Sequence, residues 1–91
     1  MDIPKSWKHK SGYRLDADGK SIEYTHENNA LLAIVESRIN ETEREESFME
    51  FYTVIFDISG DKPWPTIESH EFFREKENAK ANLREKMVKH Q

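Results

Sequence analysis

Four histidines carry the side chains that most often act as catalytic bases or metal ligands. They are His9, His26, His70 and His90. No His-x-His, His-x3-His or His-Glu-x-x-His spacing occurs among them, so the sequence contains no motif of a metal site. His26-Glu27 and His70-Glu71 are merely adjacent pairs, and neighbouring side chains on a strand point to opposite faces. We therefore predict histidines that lie on the surface, and no bound metal.

The densest group of carboxylates lies between Glu41 and Glu46, where four glutamates surround a threonine and an arginine. A calcium loop alternates Asp or Asn ligands and needs a glycine at its tight turn, and this run contains no glycine. We interpret the run as a solvated loop whose charges keep the flanking strands from pairing with other chains. Asp16-Ala17-Asp18-Gly19 also lacks the later calcium ligands, and it is typical of a hairpin turn.

Motifs for nucleophilic catalysis and for phosphate binding are absent from the sequence. It contains no Gly-x-Ser-x-Gly elbow, and its three glycines do not form a glycine-rich loop. The absence of cysteine removes thiol chemistry, disulfides and Cys-containing zinc sites. We expect no catalytic residue, no cofactor and a non-enzymatic function.

A chain of 91 residues corresponds to one domain, which we predict to span residues 1–91 with residues 1–6 flexible. Its ten aromatic side chains are expected to supply much of the core. The net charge of −4 disfavours a general affinity for nucleic acid or an anionic membrane, because such binding draws on clustered positive charge. The longest apolar run, Ala30 to Val35, is too short to cross a bilayer, and residues 1–10 contain no apolar signal segment. We expect a cytoplasmic protein that does not enter a membrane.

Alternating apolar residues and turn residues predict an antiparallel meander in the first two thirds of the chain. Asp16 to Gly19 joins the strands Lys10–Leu15 and Ser21–Thr25 in a hairpin. Ala30 to Ile39 can form either a helix with one apolar stripe or a strand apolar on both faces; we favour the strand, because it continues the meander. Phe48 to Ser59 is rich in aromatic and β-branched residues, so we expect it at the centre of the sheet.

The last third of the chain closes the fold. Thr66 to Phe73 can form a short edge strand, or Ser69 can cap a helix that begins there. We predict a helix from Glu75 to Lys89, because three apolar residues recur at four-residue spacing from Ala79 to Met87. The predicted fold class is α+β, with an antiparallel meander of four strands, or five if Thr66 to Phe73 is extended, packed by one C-terminal helix.

This architecture leaves apolar surface uncovered, because one helix covers only one face of a sheet. Both faces of the expected central strands are apolar. One face comprises Leu31, Ala33, Val35, Met49, Phe51 and Ile55, and the other comprises Leu32, Ile34, Tyr52, Val54 and Phe56. A soluble protein rarely leaves such a patch exposed without using it. We therefore predict self-association as a homodimer, or docking of a protein partner. The expected contact residues are Leu31, Val35, Met49, Phe51, Ile55 and Trp64.

Trp64 has two interpretations, because Pro63 and Pro65 on either side exclude regular structure around it. As an interface anchor it would contact a partner, since tryptophan is enriched among residues that dominate binding energy. As a plug it would fold back over the uncovered sheet face. We favour the plug, because a small domain needs the burial.

Nucleic-acid binding is the alternative function, although the net charge disfavours it. Sheet aromatics beside basic side chains can stack single-stranded bases. The aromatic residues considered for this role are Tyr13, Tyr24 and Tyr52. The basic residues considered are Lys5, Lys8, His9, Lys10 and Arg14. No RNP-type motif is present in the sequence to support this function.

Overall fold

The computed structural model describes residues 1–41 and 46–91, and it contains a sheet of five antiparallel strands. The strands are β1 (Trp7–Gly12), β2 (Ser21–His26), β3 (Leu31–Glu41), β4 (Ser47–Asp57) and β5 (Thr66–Phe73). They are followed by the helix α1 (Lys76–Lys89). Each strand pairs with the next one along the chain, in the order β1-β2-β3-β4-β5. The predicted α+β meander with a C-terminal helix is confirmed, and Thr66 to Phe73 forms its fifth strand.

The ambiguous segment from Ala30 to Ile39 lies within a strand. All eleven residues of β3 pair with β4, from Leu31 opposite Asp57 to Glu41 opposite Ser47. The register runs without a bulge from one end of the pair to the other. The prediction of a strand rather than a helix is confirmed.

The turn between β1 and β2 is hydrogen-bonded to β3. Gly19 has a φ of 69°, in the left-handed region that glycine adopts without a steric penalty. Its N–H donates to the Ser37 carbonyl at 2.9 Å, and the Ser37 hydroxyl donates back to the Ala17 carbonyl. The buried Ser37 side chain therefore holds the turn against the third strand.

The helix α1 packs on one face of the sheet. Its stripe Ala79, Leu83 and Met87 has no exposed surface, as the four-residue spacing predicts. The Trp7 indole Nε1 donates to the Met87 carbonyl at 2.9 Å and so joins the first strand to the end of the helix. The core lies between α1 and this face of the sheet.

Residues 42–45 lie outside the described residues, and the prediction of a solvated acidic loop falls mostly on them. The ends of the strands on either side, Glu41 and Ser47, pair with each other.

Candidate interaction surface

The sheet has a covered face and an open face. The covered face packs on α1 and includes Ala33, Val35, Phe51 and Ile55. The open face carries the alternate side chains of the same strands. Its residues are Leu32, Ile34, Glu36, Arg38, Glu50, Tyr52, Val54, Phe56, His70 and Phe72. Among the described residues, no helix lies on this second side of the sheet.

The predicted contact residues lie almost entirely on the wrong face. Val35, Phe51 and Ile55 belong to the buried core beneath α1, and Leu31 and Met49 pack against it. These five residues are therefore covered by the chain's own helix and do not form an exposed surface. The prediction chose the wrong one of two apolar faces, and Trp64 is the one predicted residue that contacts the open face.

An aromatic row runs along the open face over β4 and β5. It consists of Trp64, Phe56, His70, Tyr52 and Phe72. Successive ring centroids are 6.3, 6.2, 5.4 and 5.8 Å apart, within the range in which aromatic pairs attract each other. Phe72 is 53% exposed, which is unusual for so large an apolar side chain.

A cation lies at each end of the aromatic row. The Lys62 ammonium is 4.7 Å from the Trp64 ring centroid, and the Arg38 guanidinium is 5.0 Å from that of Phe72. Both distances fall within the range of cation–π attraction. The row is thus an apolar strip with positive charge at both ends.

Carboxylates accompany Arg38 on the open face. Arg38 Nε and Nη2 both lie 2.8 Å from Oε1 of Glu50, whose side chain is only 10% exposed. Glu36 lies directly opposite Tyr52 in the sheet. Burial raises the pKa of the Tyr52 phenol far above its ordinary value, and the hydrogen bond that the phenol donates to Glu36 adds to the effect. The open face therefore carries both signs of charge within a few residues.

Trp64 covers only one end of the open face. Its ring packs on Phe56, the cross-strand partner of Leu32, and its Nε1 donates to the Gly60 carbonyl at 3.0 Å. Leu32 is 2% exposed, whereas Phe72 at the other end of the row stays largely accessible. The tryptophan acts as a partial plug, and the part of the face around Tyr52 and Phe72 is left open.

The three tyrosines considered for base stacking do not share a surface. Tyr24 is 6% exposed and lies in the core beneath α1. Tyr13 is 60% exposed but follows β1, beside the hairpin turn. Only Tyr52 lies on the open face. The prediction that these tyrosines form one stacking surface is wrong, because the pairing of β2 with β3 directs Tyr24 towards the helix.

His26 contradicts the prediction of surface histidines. It is 6% exposed, and its Nδ1 accepts the backbone N–H groups of Asn28 and Asn29, each at 3.0 Å. With Nδ1 an acceptor, Nε2 carries the proton and donates to the Gln91 carbonyl at 2.9 Å. His26 therefore closes the turn between β2 and β3.

His70 and Phe72 are the site residues that sequence reasoning missed. As predicted for adjacent residues on a strand, His70 and Glu71 point to opposite faces, with Glu71 accepting a bond from Asn82 on the helix side. Had β5 been assigned as a strand, the same alternation would have placed His70 and Phe72 together opposite the helix.

Within the described ranges 1–41 and 46–91, no group of three His, Asp or Glu side chains is placed to hold a metal ion. No helix among these residues has the length and apolarity needed to cross a membrane. Comparison with known protein families, curated proteins and solved structures finds no match to this chain.

Proposed function

We propose that the protein is a non-enzymatic binding module that self-associates through the open face of its sheet, with a second copy of the chain as the occupant. The observation that carries this proposal is the aromatic row, whose member Phe72 is 53% exposed on a face that α1 does not cover. Contiguous apolar surface of this kind marks interaction sites in monomers. Packing of two sheets face to face is a common way to bury it.

The size of the open face suits a dimer. The three strands that carry the open face, 11, 11 and 8 residues long, lie about 4.8 Å apart with about 3.3 Å per residue, so their flat outline is roughly 480 Å². Stable interfaces bury about 600 to 1,000 Å² on each partner. The projecting rings and charged side chains make the accessible area larger than the flat outline, so two such faces can reach this range.

The charges of the open face suit a second copy better than a partner of one sign. In a two-fold interface the same patch meets itself, so a patch with both signs can pair with its own image. Arg38 and Lys62 lie at the ends of the aromatic row, while Glu36 and Glu50 lie on the neighbouring parts of β3 and β4. This mixture supports a self-complementary surface.

Sedimentation velocity over a concentration series tests the proposal with two single variants. Phe72→Glu places a carboxylate in the aromatic row, beside Arg38. The monomer tolerates this carboxylate because the position is exposed to solvent. Val88→Glu places the same carboxylate on α1, at a residue that is 41% exposed. We expect the wild type and Val88→Glu to dimerise and Phe72→Glu to remain monomeric. A wild type that stays monomeric up to its solubility limit would refute the proposal, as would equal behaviour of the two variants.

Binding of single-stranded nucleic acid is a second candidate, favoured by the cation at each end of the aromatic row. Bases stack on rings with little sequence preference, and cations beside the rings contact the phosphates. Fluorescence anisotropy with a labelled oligonucleotide at low salt checks this function, because electrostatic affinity is greatest there. Binding that Phe72→Ala weakens and Val88→Ala does not would support it. A flat anisotropy signal at low salt would exclude it.

A further inference from the structure

Two adjoining cavities lie on the helix side of the molecule, away from the open face. The first has a volume of about 480 Å³ and is formed by residues between Tyr13 and Lys20. The second, of about 270 Å³, lies between that segment and the first turns of α1, at Lys76 and Lys80. The two cavities share Tyr13, Arg14 and Asp16. Because they share these residues, the two cavities adjoin and are together called the groove, which the sheet-face proposal does not use.

The charge of the second cavity is opposite to that of the whole chain. Arg14, Lys76 and Lys80 line it, and Asp16 is the single carboxylate among its lining residues. Three cations against one carboxylate leave an excess of two positive charges, in a protein with a net charge of −4. A local reversal of this kind attracts an anion and concentrates it at the cavity.

Two of the three cations have a carboxylate beside them. Asp16 binds the Arg14 guanidinium through Nε at 3.1 Å and Nη2 at 2.6 Å, which leaves three of its five N–H groups outside this pair. The bond to Arg14 lowers the pKa of the Asp16 carboxyl, and the charge of Lys76 lowers it further. Lys80 is only 24% exposed, and Glu77 is 3.9 Å from its ammonium, at the outer limit of an ion pair. Asp16 and Glu77 offset part of this charge. An incoming anion meets the remaining N–H groups of Arg14 and the ammonium of Lys76, which forms no ion pair among the described residues.

Tyr13 supplies a flat surface beside these cations. Its ring is 60% exposed and lines both cavities. The Lys20 ammonium lies 5.2 Å from the ring centroid, a cation–π distance. A planar ligand can stack on such a ring, and a phosphate attached to it reaches the cations.

We propose that the groove formed by Tyr13, Arg14, Lys20, Lys76 and Lys80 binds a phosphate monoester that carries a planar ring, of the class of nucleoside monophosphates. A phosphate monoester carries about −1.5 to −2 charges at neutral pH, opposite in sign to the excess charge of the cavity. The planar ring occupies the wider cavity against Tyr13. The ligand is either a free nucleotide or the terminal phosphate of a nucleic-acid strand, since both have this chemistry.

Titration of the whole chain with adenosine monophosphate, followed by amide shifts in nuclear magnetic resonance at low ionic strength, tests this site. We expect saturable shifts at Tyr13, Lys76 and Lys80, with weaker binding of inorganic phosphate and weaker binding of adenosine. A 5′-phosphorylated oligonucleotide and its unphosphorylated form distinguish the two sources of the ligand. Shifts absent from these residues, or equal affinity for phosphate and the nucleotide, would overturn the proposal.

Single variants separate the contributions of the phosphate and the ring. Lys76→Gln is expected to weaken nucleotide binding by about tenfold or more, as the loss of one charge-assisted contact predicts. Lys89→Gln removes a lysine at the other end of α1, 66% exposed, and leaves binding unchanged. Tyr13→Ala reduces affinity for the nucleotide towards that for phosphate alone. Phe72→Glu keeps full nucleotide binding, so the failure of one proposal does not affect the other.

Discussion

The two faces of the sheet use their side chains in different ways. The covered face is largely apolar, with Ala33, Val35 and Ile55 fully buried beneath the helix beside the rings of Trp7 and Tyr24. The open face carries rings and charged groups, among them Tyr52 and Arg38, each held by a neighbour on the same face. Burial of apolar side chains avoids the cost of removing charged groups from water. The comparison shows that the covered face supplies the core of the monomer, and it is the open face that our proposal assigns to a second copy of the chain.

The largest expected effect follows a truncation on the covered side. Leu83→Ala removes a side chain with no exposed surface and leaves a cavity in the core, so we expect a loss of about 2 to 5 kcal/mol of unfolding free energy. Urea denaturation monitored by circular dichroism measures it. Val88→Ala on the exposed side of the same helix is the control, with a much smaller loss expected. Similar losses in the two variants would show that α1 does not pack on the sheet as described.

A smaller effect is expected from breaking the ion pair of the open face. Arg38→Gln removes the cation that pairs with the nearly buried carboxylate of Glu50. The carboxylate then keeps only the hydrogen bond that Asn40 Nδ2 donates to its Oε1 at 3.2 Å. We expect a loss of about 1 to 2 kcal/mol of unfolding free energy, the usual cost of a buried charged group that loses a partner. Arg14→Gln breaks an ion pair of exposed side chains and is the matched control. If the two variants lose the same unfolding free energy, the Arg38–Glu50 pair stabilises the fold no more than an exposed ion pair does.

The smallest effect is confined to alkaline pH and compares one tyrosine from each face. Burial raises the pKa of Tyr24 on the covered face, and burial with the bond to Glu36 raises that of Tyr52 on the open face. Unfolded tyrosine ionises near pH 10, so this contribution to stability is complete below about pH 10 and is lost as the pH rises through the folded values. A spectrophotometric titration of tyrosinate should show late ionisation that Tyr52→Phe and Tyr24→Phe each reduce. Ionisation of all tyrosines in one step near pH 10 would contradict the raised pKa values of Tyr24 and Tyr52.

The order of the elements could be predicted from the sequence, because each depends on a local pattern. The spacing of Ala79, Leu83 and Met87 fixed the helix, and the β-branched and aromatic residues around Val54 indicated a central strand. Thr66 to Phe73 and Ala30 to Ile39 stayed ambiguous, since short apolar runs suit both periods. Their strand pairing depends on neighbours that are distant in sequence.

The identity of the open face could not be predicted from alternation alone. The alternation of side chains along a strand shows that Leu31, Val35 and Ile55 share a face. It does not show on which face of the sheet α1 lies. Side-chain size contained further information, because the small residues Ala33 and Thr53 both lie on the face that the helix covers. Burial of His26 also lay beyond local reasoning, since its Nε2 partner is Gln91, 65 residues away.

The two tryptophans divide the intrinsic fluorescence of the protein between its two faces. Trp7 is 4% exposed beneath α1, and Trp64 is half-buried at the edge of the aromatic row. A chain with Trp64 replaced by phenylalanine emits from the interior alone, and a chain with Trp7 replaced emits from the opposite surface alone. Each face can thus be followed optically without an added dye, and association at one can be distinguished from loosening at the other.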